Sequence, residues 1–378
     1  MTARLSAVVL AAGEGTRMRS TRPKPLHRLC GRPMVLHVLD ALAGLSGCGL
    51  ALDRVVVVVG HGGARVQKTV QGEAPAGLAI DFVEQPSQRG TGDAVSVALT
   101  ELPDTGHEQT DLLVLPADTP LLRPASLAAL TEVHRVASAA ATVLTARMGD
   151  PTGYGRVIRA RDGGVARVVE QADASEEERL VDEVNTSIYC FRHPLLAPAL
   201  RRLSPVNAQG EYYLTDVLGV LHDAGHPVVS MLVDDPSEVA GINDRAQLAQ
   251  AEAELRARTN RSWMARGVTM PDPSRTYVDA SVVLAGDVTL WPGTMLSGAT
   301  VVGPGAEIGP ETRLHDTRVG EGAVVVRTEG RLAEIGAGAT VGPFAVLEPG
   351  GRVAPGTATG PFFRVGGDDE SRPGGERS

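Results

Sequence analysis

Apolar positions follow three regimes along this chain. Up to about residue 240, short continuous apolar runs alternate with stretches whose apolar residues recur at helical spacing. Val8-Val9-Leu10-Ala11-Ala12, Arg54-Val55-Val56-Val57-Val58-Val59, Ile80-Asp81-Phe82-Val83 and Leu112-Leu113-Val114-Leu115 lack the alternation of a half-exposed strand, which predicts strands buried on both faces. Between the first two, Met34, Val35, Val38, Leu39, Leu42 and Leu45 predict a helix ending at Gly47, with Pro33 suited to its first turn. Strands alternating with helices predict an α/β fold with a mostly parallel sheet and ligands at the carboxyl ends of the strands.

From Asp244 to Arg266 the composition turns to Ala, Glu, Gln, Leu and Arg without Gly or Pro. These strong helix formers predict a connecting helix of roughly 23 residues, about 35 Å long. Beyond Pro271 a third pattern begins. Leu284, Leu290, Leu296, Val302, Ile308 and Leu314 fall at six-residue intervals, and Ile335, Val341, Leu347 and Val353 resume the interval. A period of six fits neither a helix nor a flat strand and predicts a β-helix of stacked short strands. The interruption between Val325 and Ile335 predicts a loop from Arg327 to Glu334. Residues from Gly366 to Ser378 are too polar to bury a core and predict a disordered tail. The expected organisation is an α/β domain over 1–243, the connecting helix over 244–266, the repeat over 267–360 and the tail over 361–378.

Composition sharpens this picture. Aromatic residues make up only 3% of the chain, so Ala, Val, Leu and Gly must do the packing. A net charge of −9 argues against a nucleic-acid or anionic-membrane surface and leaves small anions held by local positive sites. Cys30, Cys48 and Cys190 are widely spaced without C-x-x-C, which reads as buried apolar fillers rather than a disulfide frame or zinc site. The run Leu5 to Ala12 is short for a signal-peptide core and lacks a cleavage pattern, and no apolar run approaches the roughly 18 residues of a membrane span. A cytoplasmic location is expected.

The candidate chemistry lies at the ends of the predicted strands. After the first, Gly13-Glu14-Gly15-Thr16-Arg17 lets the backbone turn and present N–H groups to an anion, although an ordinary βα turn uses the same residues. The spacing does not fit G-x-x-x-x-G-K-[ST], which excludes a Walker-type loop. The chain has only two lysines, and one of them, Lys24, is held between Pro23 and Pro25 close to this loop, as a point charge for phosphate oxygens would be. The third strand leads to Gln85 and the glycines Gly90 and Gly92. The fourth leads to Asp118, either a hard-cation ligand or a cap for a helix starting near Pro124. Further on, Asp150 to Arg156 is rich in turn residues, Val168-Val169-Glu170 ends a strand in an acid, and Glu183 to Ser187 opens another with an amide, groups that suit sugar hydroxyls.

Leu10-Ala-Ala-Gly-Glu-Gly-Thr-Arg-Met18, followed by Pro23-Lys24 and Leu26-His27, resembles the signature of sugar-1-phosphate nucleotidylyltransferases, and within them of the bacterial N-acetylglucosamine-1-phosphate uridyltransferases. The run Asn207 to Asp216 is also very close to that family's. The resemblance implies a Rossmann-like nucleotidyltransferase domain that joins UTP and GlcNAc-1-phosphate with Mg²⁺, followed by a left-handed β-helix that forms a homotrimer. It implies that Leu10, Ala11, Ala12 and Gly13 bind the nucleotide, that Arg17 and Lys24 are catalytic, and that Gln85, Gly90 and Thr91 recognise uracil. It further implies Asp118 and Asn243 as metal ligands, and Gly155, Glu170, Asn185 and Thr186 as holders of the sugar phosphate.

The chain departs from the family's pattern at Ala117 and Ser187, where the family has glycine, and at Ala172, where it has lysine. The strictness of base and sugar selection is open on this reading. In the repeat, the family's Gly-Pro-Phe-Ala-Arg-Leu-Arg-Pro-Gly stands as Gly342-Pro343-Phe344-Ala345-Val346-Leu347-Glu348-Pro349-Gly350, without either arginine. The family's second activity, acetyl transfer from acetyl-CoA to glucosamine-1-phosphate, is therefore expected to be absent. The rival readings are a transferase of the same fold with another base or sugar, and a non-catalytic scaffold. The set Arg17, Lys24, Asp118 and Asn243 speaks against the scaffold.

Overall fold

The computed structural model describes residues 4–102 and 110–366, so the predicted tail lies, from residue 367 on, outside the described residues. It divides into two units. Among the described residues, those up to 27 and from 33 to 251 form the first, and residues 28–32 with those from 252 to 366 form the second.

The first unit is built on a sheet of strands β1 (Arg4–Ala11), β2 (Arg54–Val59), β3 (Ile80–Glu84), β4 (Thr110–Pro116), β5 (Ala141–Arg147), β6 (Arg156–Arg159), β7 (Val165–Val169), β8 (Glu183–Arg192) and β9 (Val228–Leu232). The order is β9-β5-β8-β4-β1-β2-β3, and β6 pairs with β7 and β8. The strands β4, β1, β2 and β3 are parallel, as the unbroken apolar runs predict, with Val9 opposite Leu115 and Val57. Helices α1 (Met34–Ala43), α2 (Gly63–Glu73), α3 (Thr91–Ala98) and α4 (Pro124–Val136) follow β1 to β4 in turn. Apolar side chains of β1 alternate between two cores: Leu5, Ala7, Val9 and Ala11 pack with Leu39 and Leu127, and Val8, with Ala12 just after the strand, packs with Val95 and Ala98. Burial on both faces removes nearly all of the apolar surface of these runs from water, which is what holds them as central strands.

Strand β8 runs antiparallel to both β4 and β5. Its first residues therefore reach the same sheet edge as the carboxyl ends of the parallel strands, and this brings Asn185 and Thr186 toward the glycine loop. The register of β8 shifts between Asn185 and Tyr189, where Ser187 adopts φ +61°. A glycine takes that conformation freely and serine does not, so the family's glycine at this position has a backbone reason.

The second unit is a β-helix of hexapeptide repeats, as the period predicts, and left-handed, as the resemblance implies. Strands of two or three residues stack in three parallel sheets. One residue of each strand points inward: Leu296, Leu314 and Leu347 in one sheet, Val302, Val319 and Ile335 in the next, and Leu290, Ile308 and Val325 in the last. The helix α5 (Arg245–Met264) precedes it, and Asn260 is buried there, donating to the carbonyls of Pro273 (2.8 Å) and Thr276 (2.9 Å).

Four expectations are corrected. Arg327 to Glu334 is not a loop, because Glu329–Arg331 is a strand pairing with Arg313–His315 and with Val346–Leu347. Its inward residue is Gly330, where a Cβ would lie 2.9 Å from Leu314 Cδ2, and the inward positions Leu314 to Val319, Val325 to Gly330 and Gly330 to Ile335 advance by five residues instead of six. Cys48 is exposed at the end of the turn Gly44–Cys48, and only Cys30 and Cys190 are buried. The first helix ends at Ala43, four residues before Gly47, and passes into that 3₁₀ turn. The β-helix also continues past residue 360, with Arg364–Val365 pairing with Val346–Leu347.

Candidate active site

The glycine loop is shaped around the lysine. Gly15 has φ +64°, and a Cβ on it would lie 2.5 Å from Lys24 Cβ, so only glycine lets the lysine segment pack against the turn. Two short 3₁₀ turns, Thr16–Met18 and Lys24–Leu26, are pinned by buried Met18, Pro25 and Leu26. They leave Arg17 exposed and Lys24 half-buried at the edge of the sheet.

Lys24 Nζ donates to the Asp118 carboxylate and, at 2.8 Å, to Asn243 Oδ1, while Arg17 Nη2 donates to the same Asn243 oxygen at 3.0 Å. The backbone fixes this group. Ala117 N–H donates to the Leu10 carbonyl (3.0 Å) and Ile242 N–H to the Asp118 carbonyl (3.0 Å), which aligns the three segments side by side. Asp118 does not cap α4, whose preceding residue is Arg123 without a side-chain cap.

On one side of this cluster lies the loop after β3. Gln85 is buried and its Nε2 donates to the Gly90 carbonyl at 3.1 Å. Gly90 has φ +108°, and a Cβ there would lie 2.6 Å from the Tyr212 carbonyl. The Thr91 hydroxyl accepts from Leu214 N–H at 3.1 Å. On the other side, Glu170 accepts from the Thr215 hydroxyl at 3.1 Å, and Gly155 leaves room for that carboxylate, an added Cβ falling 3.4 Å from Glu170 Oε2. Burial pushes the Glu170 carboxyl above its ordinary range, more than the Thr215 hydrogen bond pulls it back, and Asp216 and Asp173 add to the rise. Asn185 N–H donates to the Gly155 carbonyl at 2.8 Å, and the Thr186 hydroxyl donates to the Leu144 carbonyl at 2.7 Å.

All of the residues singled out in the sequence, from Leu10, Ala11, Ala12, Gly13, Arg17 and Lys24 through Gln85, Gly90, Thr91 and Asp118 to Gly155, Glu170, Asn185, Thr186 and Asn243, line one cavity. Ala117 and Ser187 line it as well, whereas Ala172 is exposed and stands outside its lining.

Three residues have supporting roles that the sequence reading did not assign. Gln88 Nε2 donates to the Ala12 carbonyl at 2.6 Å and ties the two loops together. The Tyr154 hydroxyl is hydrogen-bonded to the backbone of Gly241, two residues before Asn243. Arg156, 2% exposed, donates to the Tyr154 carbonyl and to Gln171 Oε1 (2.8 Å), and that oxygen also accepts from Gly153 N–H. The turn residues around Gly155 were legible; a buried arginine beneath them carried no spacing to reveal it.

A glycine loop with two cations, a carboxylate and an amide at the ends of parallel strands defines a nucleotidyltransferase, and residues 7–265 match the family model of the MobA-like NTP transferase domain. Full-length relatives narrow the class. The chain is 44% identical over 360 residues to the bifunctional protein GlmU of Heliobacterium modesticaldum, an alignment covering 95% of this chain and 76% of the relative. It is 47% identical over 345 residues to that of Mycolicibacterium gilvum (91% and 68% covered) and 48% identical over 354 residues to that of Rhodococcus jostii (93% and 69% covered). The chain belongs to the GlmU family and is a uridyltransferase, a UDP-N-acetylglucosamine diphosphorylase. Its substrates are a nucleotide and a sugar phosphate, and enzymes of this family generally use a divalent metal. Among the described residues no helix is long and apolar enough to cross a membrane.

Proposed function

We propose that the chain transfers uridylyl from UTP to GlcNAc-1-phosphate, releasing pyrophosphate, in the cytoplasm, and that Mg²⁺ is its metal. The observation that carries the reading is the Lys24, Arg17, Asp118 and Asn243 cluster, set between a loop bearing an amide and a patch bearing a carboxylate. A sugar phosphate is largely dianionic near neutral pH, its second pKa being roughly 6, so the nucleophilic oxygen needs no general base. The catalytic problem is to bring two polyanions into line and stabilise charge at the α-phosphorus and on the departing pyrophosphate.

In this reading the amides of Ala12 to Gly15 and Arg17 hold the β- and γ-phosphates, which become the leaving group. Lys24 neutralises the oxygens around the α-phosphorus. Glu170 and Asn185 orient the sugar, with Gly155 and Thr186 shaping its seat. The attacking phosphate oxygen forms the new P–O bond as the bond to the pyrophosphate oxygen breaks.

The metal pair passes a test of fit. A cation, the Lys24 ammonium, already rests on both oxygens, so Asp118 and Asn243 converge on one positively charged point. One carboxylate and one amide oxygen make a partial shell of the kind Mg²⁺ completes with substrate phosphates and water. When bound, Mg²⁺ supplies charge neutralisation at the reacting phosphates.

We infer that the β-helix performs no acetyl transfer. Where the family carries arginines this chain has Val346 and Glu348, and Glu348 is engaged by Arg364 Nε at 2.9 Å. We further infer that it joins copies into a homotrimer, a reading supported by outward apolar residues such as Val283 and Val301, paired on successive coils and both exposed.

Pyrophosphate release across a grid of nucleoside triphosphates and sugar-1-phosphates tests the main reading. UTP with GlcNAc-1-phosphate is expected to dominate, and a dominant signal from another pair overturns the assignment of base or sugar. CoA release from acetyl-CoA and glucosamine-1-phosphate is expected to be nil, and any enzyme-dependent release overturns the second inference.

A further inference from the structure

The geometry points to Asp93 as a positioning residue that fixes the face Gln85 presents to the cavity and thereby selects a pyrimidine with an imide N–H over cytosine. The inference rests on the proposed reading in which Gln85 meets the base. Gln85 is 5% exposed, and its main chain is anchored by its N–H donating to the Val59 carbonyl at 2.8 Å. The Nε2 group donates to the Gly90 carbonyl (3.1 Å) and to Asp93 Oδ2 (2.8 Å).

Both of those partners are acceptors only. A flipped amide would set Oε1 against two oxygens, so the chemistry of the neighbours dictates the orientation. With both amide hydrogens spent, the side chain offers the cavity an acceptor, Oε1, and no donor. Uracil carries a hydrogen on N3 and can donate it there. Cytosine carries a lone pair on N3, which an oxygen repels.

The carbonyl of Gly90 alone would occupy one hydrogen and leave the amide free to turn. Asp93 adds the second, charge-assisted bond that removes this freedom. The loop around it is fixed from outside, with Gly92 N–H donating to the Tyr212 carbonyl and Tyr212 N–H to the Arg89 carbonyl, both at 2.8 Å. Asp93 also lies in the first turn of α3, where any carboxylate stabilises the helix, so a test must separate support of the helix from control of the amide.

The experiment is steady-state pyrophosphate release with UTP and with CTP at saturating GlcNAc-1-phosphate, for Asp93→Leu, Asp93→Asn and Gln85→Ala. Asp93→Leu is expected to raise KM for UTP about tenfold at unchanged kcat and to lower the UTP-over-CTP ratio of kcat/KM by a similar factor, as the loss of one hydrogen-bond constraint implies. Asp93→Asn keeps an oxygen facing Nε2 without the charge, and it is expected to restore both values. KM for the sugar phosphate should not move in either. If Asp93→Leu fails to fold, Asp93→Ala is read in the same way. The proposal is overturned if Gln85→Ala loses the ratio while Asp93→Leu keeps it, an outcome that leaves the base-site reading standing, or if Asp93→Asn loses as much as Asp93→Leu. An unchanged ratio in Gln85→Ala itself sinks the base-site reading and the role of Asp93 with it.

Discussion

The two units of this chain use the same bond, the parallel-strand ladder, to opposite ends. In the first, strands of five to eight residues run side by side and finish at one edge, so the residues after β1, β3 and β4 are delivered to a common space. In the second, strands of two or three residues turn a corner after each pass, and no edge collects them. Outward polar residues there pair between coils, Arg352 with Glu334 of the adjacent coil (3.3 Å) and Arg275 with Glu311 two coils on (3.1 Å). Such exposed pairs contribute at most about 1 kcal/mol each. Long strands converge chemistry, and short ones disperse it.

The comparison breaks most sharply if activity proves insensitive to the converged cluster. Lys24→Ala and Asp118→Ala are each expected to lower kcat/KM by about 10²- to 10³-fold, the scale of removing a preorganised charge from a transition state. Both side chains are partly solvated, at 13% and 23% exposure, so little folding energy rests on their contact. The thermal midpoint should move by no more than about 4 °C. Full turnover in either variant, or a collapse of stability that accounts for the lost activity, would contradict the role of the cluster.

A mirror-image result is expected in the β-helix. Leu347 is 1% exposed and sits inward between coils. Leu347→Ala should cost about 2–5 kcal/mol of that unit's stability, measured by calorimetry or denaturant melts, because the stacked coils cannot close around the cavity. Uridylyl transfer assayed below the melt should keep its kcat. A fall in kcat with no change in melting would show that the repeat carries chemistry that its residues do not suggest.

How much of this was legible in the sequence follows from the same contrast. Buried strands announce themselves by apolar runs, and the six-residue period is visible wherever successive inward residues are large aliphatics spaced by six. The signal was lost after Leu314, where the step to Val319 shortens to five, and again around Gly330, where the inward position has no side chain and both flanking steps are five. Most of the residues that line the cavity were legible because they fall in short loop motifs at the strand ends. Gln88, Tyr154, Arg156 and Asp93 were not, since each acts through a partner fixed by tertiary folding, such as the Ala12 carbonyl for Gln88 or the Gly241 backbone for Tyr154. Ser187 shows the limit from the other direction: read by residue type it is a lost glycine, and only the bulge in β8 reveals that its backbone, at φ +61°, is what glycine would have served.

The smallest expected effect is also the most specific. In the proposed reading Glu170 faces the sugar, and burial raises its carboxyl above the ordinary range, so it takes up a proton at a higher pH than a free glutamate. On that reading the carboxylate accepts a hydrogen bond from a sugar hydroxyl, and once protonated it resembles glutamine. Glu170→Gln should therefore raise KM for GlcNAc-1-phosphate about tenfold at pH 8, the scale of one hydrogen bond to a charged group. That ratio should shrink toward one as pH falls through the raised carboxyl range, because the wild-type group neutralises itself. The sugar phosphate's own ionisation, near roughly pH 6, alters both enzymes alike and cancels in the ratio. A ratio that stays constant with pH would mean that the Glu170 charge does not reach the sugar, and the patch at Gly155 and Asn185 would then hold it by shape and amide contacts alone.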